Sequence, residues 1–294
     1  MNGNDICIVC INPAFANAGS LQKALNCNIV AEKFEFKGFH KACTKPVGNI
    51  NNIPEAMHYI FAGSGILLRI DASKLKGRKS VIISDSHYLQ NTEEIDKIIE
   101  DNNIEVSCMI DLWDFCKHDK RAYFQPFEQF NVNEVKNETL TICHSPSVKA
   151  KTNQKGSVQI QSVINDIKPK VCANYICITD ETWSGTIKQK SGAQIFIDQL
   201  VMNNHYASKG YIGGIGKSGL EGMLLKCLTI SSGKIVKTDV SAPPYVIAND
   251  KEELTKQLLF YIKNVDARNA LIKKQFNWAR KYTSFENVSK RLLA

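Results

Sequence analysis

Ile6-Cys-Ile-Val-Cys-Ile11 is an unbroken apolar run that meets Asn12-Pro13, and Gly19-Ser20 then opens a stretch with Leu21, Ala24 and Leu25 at helical spacing. A short apolar run stopped by a turn dipeptide reads as a buried strand. Strand, small-residue loop and helix together form the first unit of a doubly wound α/β fold. Working outward, Gly65 to Ile70 and Ser80 to Ser84 read as strands, Glu93 to Asp101 as a helix, and Val106 to Ile110 as a strand. His58 reads as a residue of a helix face. Strands alternating with helical stretches predict a parallel sheet.

The second half restarts this rhythm. Thr139 to Cys143 reads as a strand, and Lys155-Gly156 leads into a helix carrying Val158, Ile160, Val163, Ile164 and Ile167. Ala173 to Ile178, Gln194 to Ile197 and Leu228 to Ser231 read as strands, with a helix from Ser218 to Leu225. Glu252 to Asn264 and Asn269 to Leu293 read as closing helices. Between the halves, FEQFNVNEVKNE (127–138) is polar and without a period. The expected organisation is an N-terminal Rossmann-like domain over 1–135, a second over 136–275, and a closing helix over 276–294 that returns toward the first. Two such domains would face a central cleft at the carboxyl ends of their strands, where open α/β sheets bind ligands.

The 294 residues suit two domains, and 44% apolar content with 22% charged residues describes an ordered globular chain. No apolar run reaches the ~18 residues of a membrane span. Met1 to Asp5 is polar and shows no secretory pattern, which predicts a cytoplasmic protein, in the host cytoplasm for a viral one. Most of the ten cysteines sit inside apolar runs. Cys7-x-x-Cys10 has metal-ligand spacing, but residues three apart in a strand point to opposite faces. His40-x-x-Cys43 and Cys116-x-His118 lack a second ligand pair, so reduced thiols and no bound metal are expected. Residues 1–138 hold 15 basic and 18 acidic side chains, a net −3, which leaves +11 on residues 139–294. That excess suits an anionic ligand, a nucleic acid or an anionic surface, or is a solvated lysine-rich face.

Chemistry concentrates in IDQLVMNNHYASKGYIGGIGKSGLEGMLLKCLTIS (197–231). Glycines that end at a helix start leave backbone N–H groups open, and with the helix dipole these hold phosphate. A carboxylate in the first turns, here Glu221, can accept hydrogen bonds from a ribose diol. Gly216-Lys217-Ser218 is not a P-loop, because Tyr211 stands where that motif needs glycine. A plain glycine helix cap would look the same.

The wider pattern resembles the donor-binding segment of GT-B glycosyltransferases: Asp198-Gln199 ending a strand, a Gly-rich turn, Leu220-Glu221-Gly222-Met223 opening a helix, then a strand. His144-Ser145-Pro146-Ser147-Val148-Lys149 followed by Lys155-Gly156-Ser157 resembles the same family's first donor-domain loop. Phe276 to Val288 resembles its closing helix, and Ala18-Gly19-Ser20-Leu21 its opening loop. The resemblance covers both ends and most of 139–294. It implies an α/β GT-B fold and transfer of a sugar from a nucleotide-sugar, a UDP-sugar such as UDP-glucose, to a hydroxyl. Gly19, Lys149, Lys155, Gly216, Ser218, Gly219, Leu220 and Glu221 would hold the donor. Glu221 would bind the ribose, and the amides of Ser218, Gly219 and Leu220 the diphosphate. Lys149 and Lys155 would neutralise the departing diphosphate, so no metal or other cofactor is expected. Lys149 stands where the family commonly has arginine, leaving a point charge rather than a bidentate contact.

One departure is plain. Many retaining members carry a second glutamate eight positions upstream of Glu221, where this chain has Gly213. A general base would come from Asp85 or His87, after the SVIIS strand, or Asp111, after the next; each is equally a loop former. Candidate acceptors are hydroxymethylated bases in DNA, as for phage-type DNA glucosyltransferases, or a surface glycan or lipid-linked glycan. A DNA base would have to be flipped into the site. The alternatives are a non-catalytic α/β protein binding nucleic acid or nucleotide-sugar, or a sugar-nucleotide epimerase of the same fold. Nothing in the sequence speaks to oligomeric state. Read from sequence alone, Glu221→Ala should weaken nucleotide-sugar binding without unfolding the chain, checked by ligand titration beside circular dichroism.

Overall fold

A computed structural model describes residues 5–11, 18–32, 48–84, 86–127, 136–146, 155–179, 181–201 and 214–294. The chain divides into two compact units. Unit 1 comprises 1–128, 238–240 and 282–294, and unit 2 comprises 129–237 and 241–281.

Unit 1 is built on seven strands: β1 (Ile6–Cys10), β2 (Asn28–Ala31), β3 (Gly48–Asn49), β4 (His58–Ala62), β5 (Arg78–Ile83), β6 (Glu105–Met109) and β7 (Lys120–Tyr123). Their order is β3-β2-β1-β4-β5-β6-β7, and every pair is parallel. Helix α1 (Ala18–Leu25) follows β1, while α2 (Ser86–Gln90) and α3 (Thr92–Asp101) follow β5. Both faces of the sheet are covered, so its central strands are apolar throughout. Cys7 and Val9 of β1 face one core, with Phe61, Val81 and Ile95. Ile6, Ile8 and Cys10 face the other, with Leu21, Ile60 and Leu292. The two thiols of the Cys-x-x-Cys pair therefore lie on opposite sides of one strand. Burial pushes Cys7 up to about 12. No cluster of metal-ligating side chains occurs among the described residues.

Two expectations fail in this unit. Ser64 to Leu68 forms a 3₁₀ turn, and the strand lies just upstream at His58–Ala62. Ser64–Leu68 follows Gly63, whose φ of 96° ends the extended run, and Ile66 and Leu67 tuck into the core as an apolar turn. A short apolar run looks alike in strand and turn, so period could not separate them. His58 starts β4 rather than lying on a helix, and it is wholly buried. Its Nε2 pairs with Ser80 Oγ on the neighbouring strand, which hides the polarity that sequence reading takes for exposure.

Unit 2 carries five strands: β8 (Thr141–His144), β9 (Asn174–Cys177), β10 (Ile195–Gln199), β11 (Leu228–Ser231) and β12 (Val246–Ile247). They run parallel in the order β12-β11-β10-β8-β9. Helices α4 (Ser157–Ile167), α5 (Trp183–Gly192) and α6 (Lys217–Leu224) connect them. Helices α7 (Lys251–Lys263) and α8 (Val265–Thr283) follow. Ile160, Val163, Ile164 and Ile167 of α4 pack with Ile195, Ile197 and Leu254. Val158, off that stripe, is exposed.

From Tyr282 the chain belongs to unit 1 again. Ser284 breaks the helix, capping α9 (Phe285–Leu293) by accepting from Asn287 N. Val288 and Leu292 of α9 join the core beside α1. Arg291 donates to the Ala122 carbonyl and to Asp239, which itself accepts from Ala122 N. That carboxylate ties the short 238–240 excursion into unit 1.

Burial first, and Arg78 second, hold His58 down at about 4, so it folds neutral. Its unfolded value lies near 6.5. The unfolded chain therefore takes up the proton first, and stability is lost as pH falls from about 6.5 toward 4. At about pH 5 this amounts to roughly 2 kcal/mol from this residue. Urea melts of wild type and His58→Leu at pH 7 and about 5 should show a smaller acid loss in the variant.

Candidate donor site at the switch point of unit 2

In unit 2 the chain leaves β8 for β9 on one side and returns to β10 on the other. The carboxyl ends of β8 and β10 thus flank the point where strand order reverses, the ordinary ligand crevice of this architecture. His144 closes β8, and Asp198-Gln199 closes β10.

Asp198 has no solvent exposure. Its Oδ1 accepts from Lys155 Nζ at 2.8 Å, and its Oδ2 from the Gly216 amide at 2.8 Å. One buried carboxylate so joins the loop before α4 to the turn before α6. His144 adds a second tie: Nδ1 lies 2.8 Å from the Ile197 carbonyl and Nε2 2.9 Å from Ser157 Oγ. A carbonyl only accepts, so Nδ1 carries the proton and Nε2 accepts from the serine. Burial holds His144 down at about 4, which keeps the ring neutral, as this arrangement needs. Gln199 Nε2 and Ser231 Oγ both donate to the Gly214 carbonyl, at 2.7 and 2.6 Å.

Two glycines are required sterically. Gly156 caps α4 at φ 71°, and a Cβ there would lie 1.9 Å from the Leu200 carbonyl oxygen. At Gly219 a Cβ would meet Ile215 Cγ1 at 2.6 Å and Asp198 Oδ2 at 2.9 Å. The first turn of α6 approaches the carboxylate only because that side chain is absent.

Gly216 is the N-cap of α6 and offers no side-chain acceptor. The amides of Ser218 and Gly219 have no acceptor within the helix by its geometry. The Leu220 amide differs: it donates to the Gly216 carbonyl at 3.1 Å and is spent inside the helix. The Gly216 amide is likewise engaged, by Asp198. Glu221 is 3% exposed, and both its oxygens have partners. Oε2 accepts from Lys190 Nζ at 2.7 Å and Oε1 from Trp183 Nε1 at 3.0 Å. Burial alone would raise its carboxyl. Lys190 and then Lys217 oppose that, with hydrogen bonds from Lys190 and Trp183, and hold it below the usual carboxylate value. Lys190 is itself fully buried on α5, with Nζ also 2.6 Å from Ser218 Oγ and over the Phe196 ring at 4.6 Å.

Lys155, Gly216, Ser218, Gly219, Leu220 and Glu221 are thus brought together in unit 2. Gly19 lies buried at the start of α1 in unit 1, after the strand at that sheet's own switch point between β1 and β4. His87 is on exposed surface of α2, its ring against Gly65, and Asp111 lies in the turn after β6. These two follow the carboxyl ends of adjacent strands. Asp85 and Lys149, and the departure at Gly213, lie outside the described residues. Sequence reading missed Lys190 and Trp183 altogether. Nothing in KQKSGA (188–193) separates a buried lysine from its surface neighbours.

No protein-family model and no curated protein matches the chain. Solved structures do. Anabaena HepE in complex with UDP-glucose superposes with a TM-score of 0.65 at 8% identity, covering 98% of each chain. S. aureus TarM, in complex with fondaparinux, α-GlcNAc-glycerol and UDP, gives 0.56 at 14% identity over 80% of this chain. The match spans 54% of TarM's own length. The glycosyltransferase SnogD from Streptomyces nogalater gives 0.53 at 8% identity, over 98% of this chain and 99% of that one. The class is therefore defined: two parallel α/β units with the fold of GT-B glycosyltransferases.

The buried pair changes what Glu221→Ala should do. Removing the carboxylate strands an ammonium in the interior, which costs about 3–5 kcal/mol. Glu221→Ala should therefore lower the denaturation midpoint clearly, and Lys190→Met in the same chain should recover most of the loss. Equal midpoints for wild type and the single variant would contradict the buried pair.

Proposed function

We propose that the protein transfers a sugar from a nucleotide-sugar, with a UDP-sugar as donor, to a hydroxyl acceptor. The observation that carries this reading is the network at the unit 2 switch point. A lysine and a glycine-capped helix start are both anchored on Asp198, with an ionised glutamate in the first turns of that helix. Among the described residues Lys155 Nζ donates to Asp198 alone, which leaves two of its three ammonium protons for other acceptors, and it is only 15% exposed, so its charge is little screened there. Such a lysine, beside open amides at a helix start, stabilises a departing nucleoside diphosphate without a metal. That HepE and TarM were solved with UDP or UDP-glucose supports the choice of donor.

In this reading Lys149 assists Lys155, Glu221 takes the donor ribose, and Gly19 is a further donor-binding residue. Asp85, His87 or Asp111 serves as the base that takes the proton of the acceptor hydroxyl. Of the acceptors, a hydroxymethylated base in DNA accords with the net +11 on residues 139–294, since phosphate contacts need that sign. A surface glycan or lipid-linked glycan is the other. No helix among the described residues is long and apolar enough to cross a membrane, and the nine described cysteines are free thiols. The free thiols accord with a cytoplasmic setting.

The test is a thermal-shift screen with UDP-, GDP-, ADP- and CMP-sugars, followed by nucleotide release with and without hydroxymethylated DNA. A donor well above its dissociation constant should add about 2–4 kcal/mol of stability. Lys155→Met should lower turnover about 10²- to 10³-fold. A shift without turnover would indicate a binding protein, and conversion of donor alone an epimerase.

A further inference from the structure

Lys190 is a fully buried cation that the reading above does not use. Its ammonium reaches two side chains of one helical stretch, Ser218 Oγ at 2.6 Å and Glu221 Oε2 at 2.7 Å, with the Ser218 carbonyl at 3.5 Å. The Phe196 ring lies 4.6 Å away. Burying an ion pair is poor stabilisation compared with apolar packing. A purely structural join between α5 and α6 would be served better by two aliphatic side chains. This one is spent on the two side chains that flank the open amides of α6.

The chemistry of an ammonium dictates what each partner can then do. It has three donors and no acceptor, so Ser218 Oγ must accept from it. The serine's own proton is then left to be donated to another acceptor, and the hydroxyl is polarised as a donor. The carboxylate of Glu221 offers about four acceptor positions. Among the described residues Lys190 takes one on Oε2 and Trp183 one on Oε1, which leaves one on each oxygen. Two acceptors side by side match the two donors of a vicinal diol.

We propose that Lys190 is a positioning residue of the donor site. It sets the Ser218 hydroxyl as a donor toward the diphosphate and holds Glu221 charged and oriented for the sugar diol of the nucleotide. This rests on unit 2 being a nucleotide-sugar site. The other titratable groups facing the pair are Lys217 on α6, Cys143 and His144 on β8, and Cys227 ahead of β11. Burial keeps His144 neutral and both thiols protonated near neutral pH, so among the described residues Lys217 is the other charge acting on Glu221.

The test uses the full chain and UDP-glucose, whose diphosphate does not titrate near neutrality, with calorimetric titration from mildly acidic to mildly basic pH. If wild type prefers another nucleotide-sugar, that donor replaces it. Wild-type affinity should be flat with pH. Lys190→Met should weaken binding at least about tenfold, the worth of one charge-assisted hydrogen bond. Its binding should also weaken further as pH falls, because Glu221 without its cation takes up a proton more readily. Ser218→Ala, which leaves the ion pair intact and serves if Lys190→Met does not fold, should lose about tenfold with a flat pH profile. A folded Lys190→Met with wild-type affinity and a flat profile would overturn the proposal, as would wild-type affinity in Ser218→Ala. Wild type binding no nucleotide-sugar at all would instead overturn the functional reading.

Discussion

A carboxylate without solvent exposure, held between a lysine and a backbone amide, is the constraint from which the unit 2 site follows. Asp198 stands at the carboxyl end of β10 and must be satisfied there, because an unpaired charge in the interior is prohibitively costly. Lys155 satisfies one oxygen and Gly216 the other. Meeting that requirement brings the loop before α4 against the turn before α6. It also explains the glycine at 219, where any side chain would strike the carboxylate. His144, neutral and locked between Ile197 and Ser157, braces the same corner from β8. The site is a set of polar groups that must find partners, arranged where the strand order reverses.

The second buried pair has a different character. Asp198 is as buried as Glu221, but its partner Lys155 is partly open, whereas Lys190 is sunk between α5 and α6. The first leaves a cation with donors to spare. The second leaves an anion whose charge is assured by its partner. Cation toward the phosphates and anion toward a diol is the polarity a nucleotide requires, and under the proposed function the two pairs would supply it from adjacent connections.

Much of the fold was legible because central parallel strands are apolar on both faces and stop at turn residues, as at Ile6 to Cys10, Ser80 to Ile83 and Leu228 to Ser231. The failures have equally physical causes. Ile66 to Leu68 is apolar because it packs into the core in the 3₁₀ turn Ser64–Leu68, and His58 is polar but paired with Ser80 inside the sheet. Strands as short as Gly48–Asn49 and Lys120–Tyr123 carry too few residues to show a period. Of the residues gathered at the unit 2 switch point, Gly216, Gly219, Lys155 and Glu221 could be named from their order along the chain. That the Leu220 amide is spent within α6 could not, since it depends on where the helix begins.

The sequence by itself determined a doubly repeated α/β chain, the location of its glycine-capped helix start and the family that this arrangement resembles. Those properties are local: they follow from apolar runs, turn residues and spacing within a few tens of residues. Only the tertiary structure decided that Asp198 holds Lys155 and Gly216 together, and that Lys190, 31 positions before Glu221 in the chain, is its buried partner. A lysine reads alike in sequence whether solvated or buried. What separates the two is the presence of a carboxylate and a hydroxyl within reach, and that proximity is made by the packing of α5 against α6.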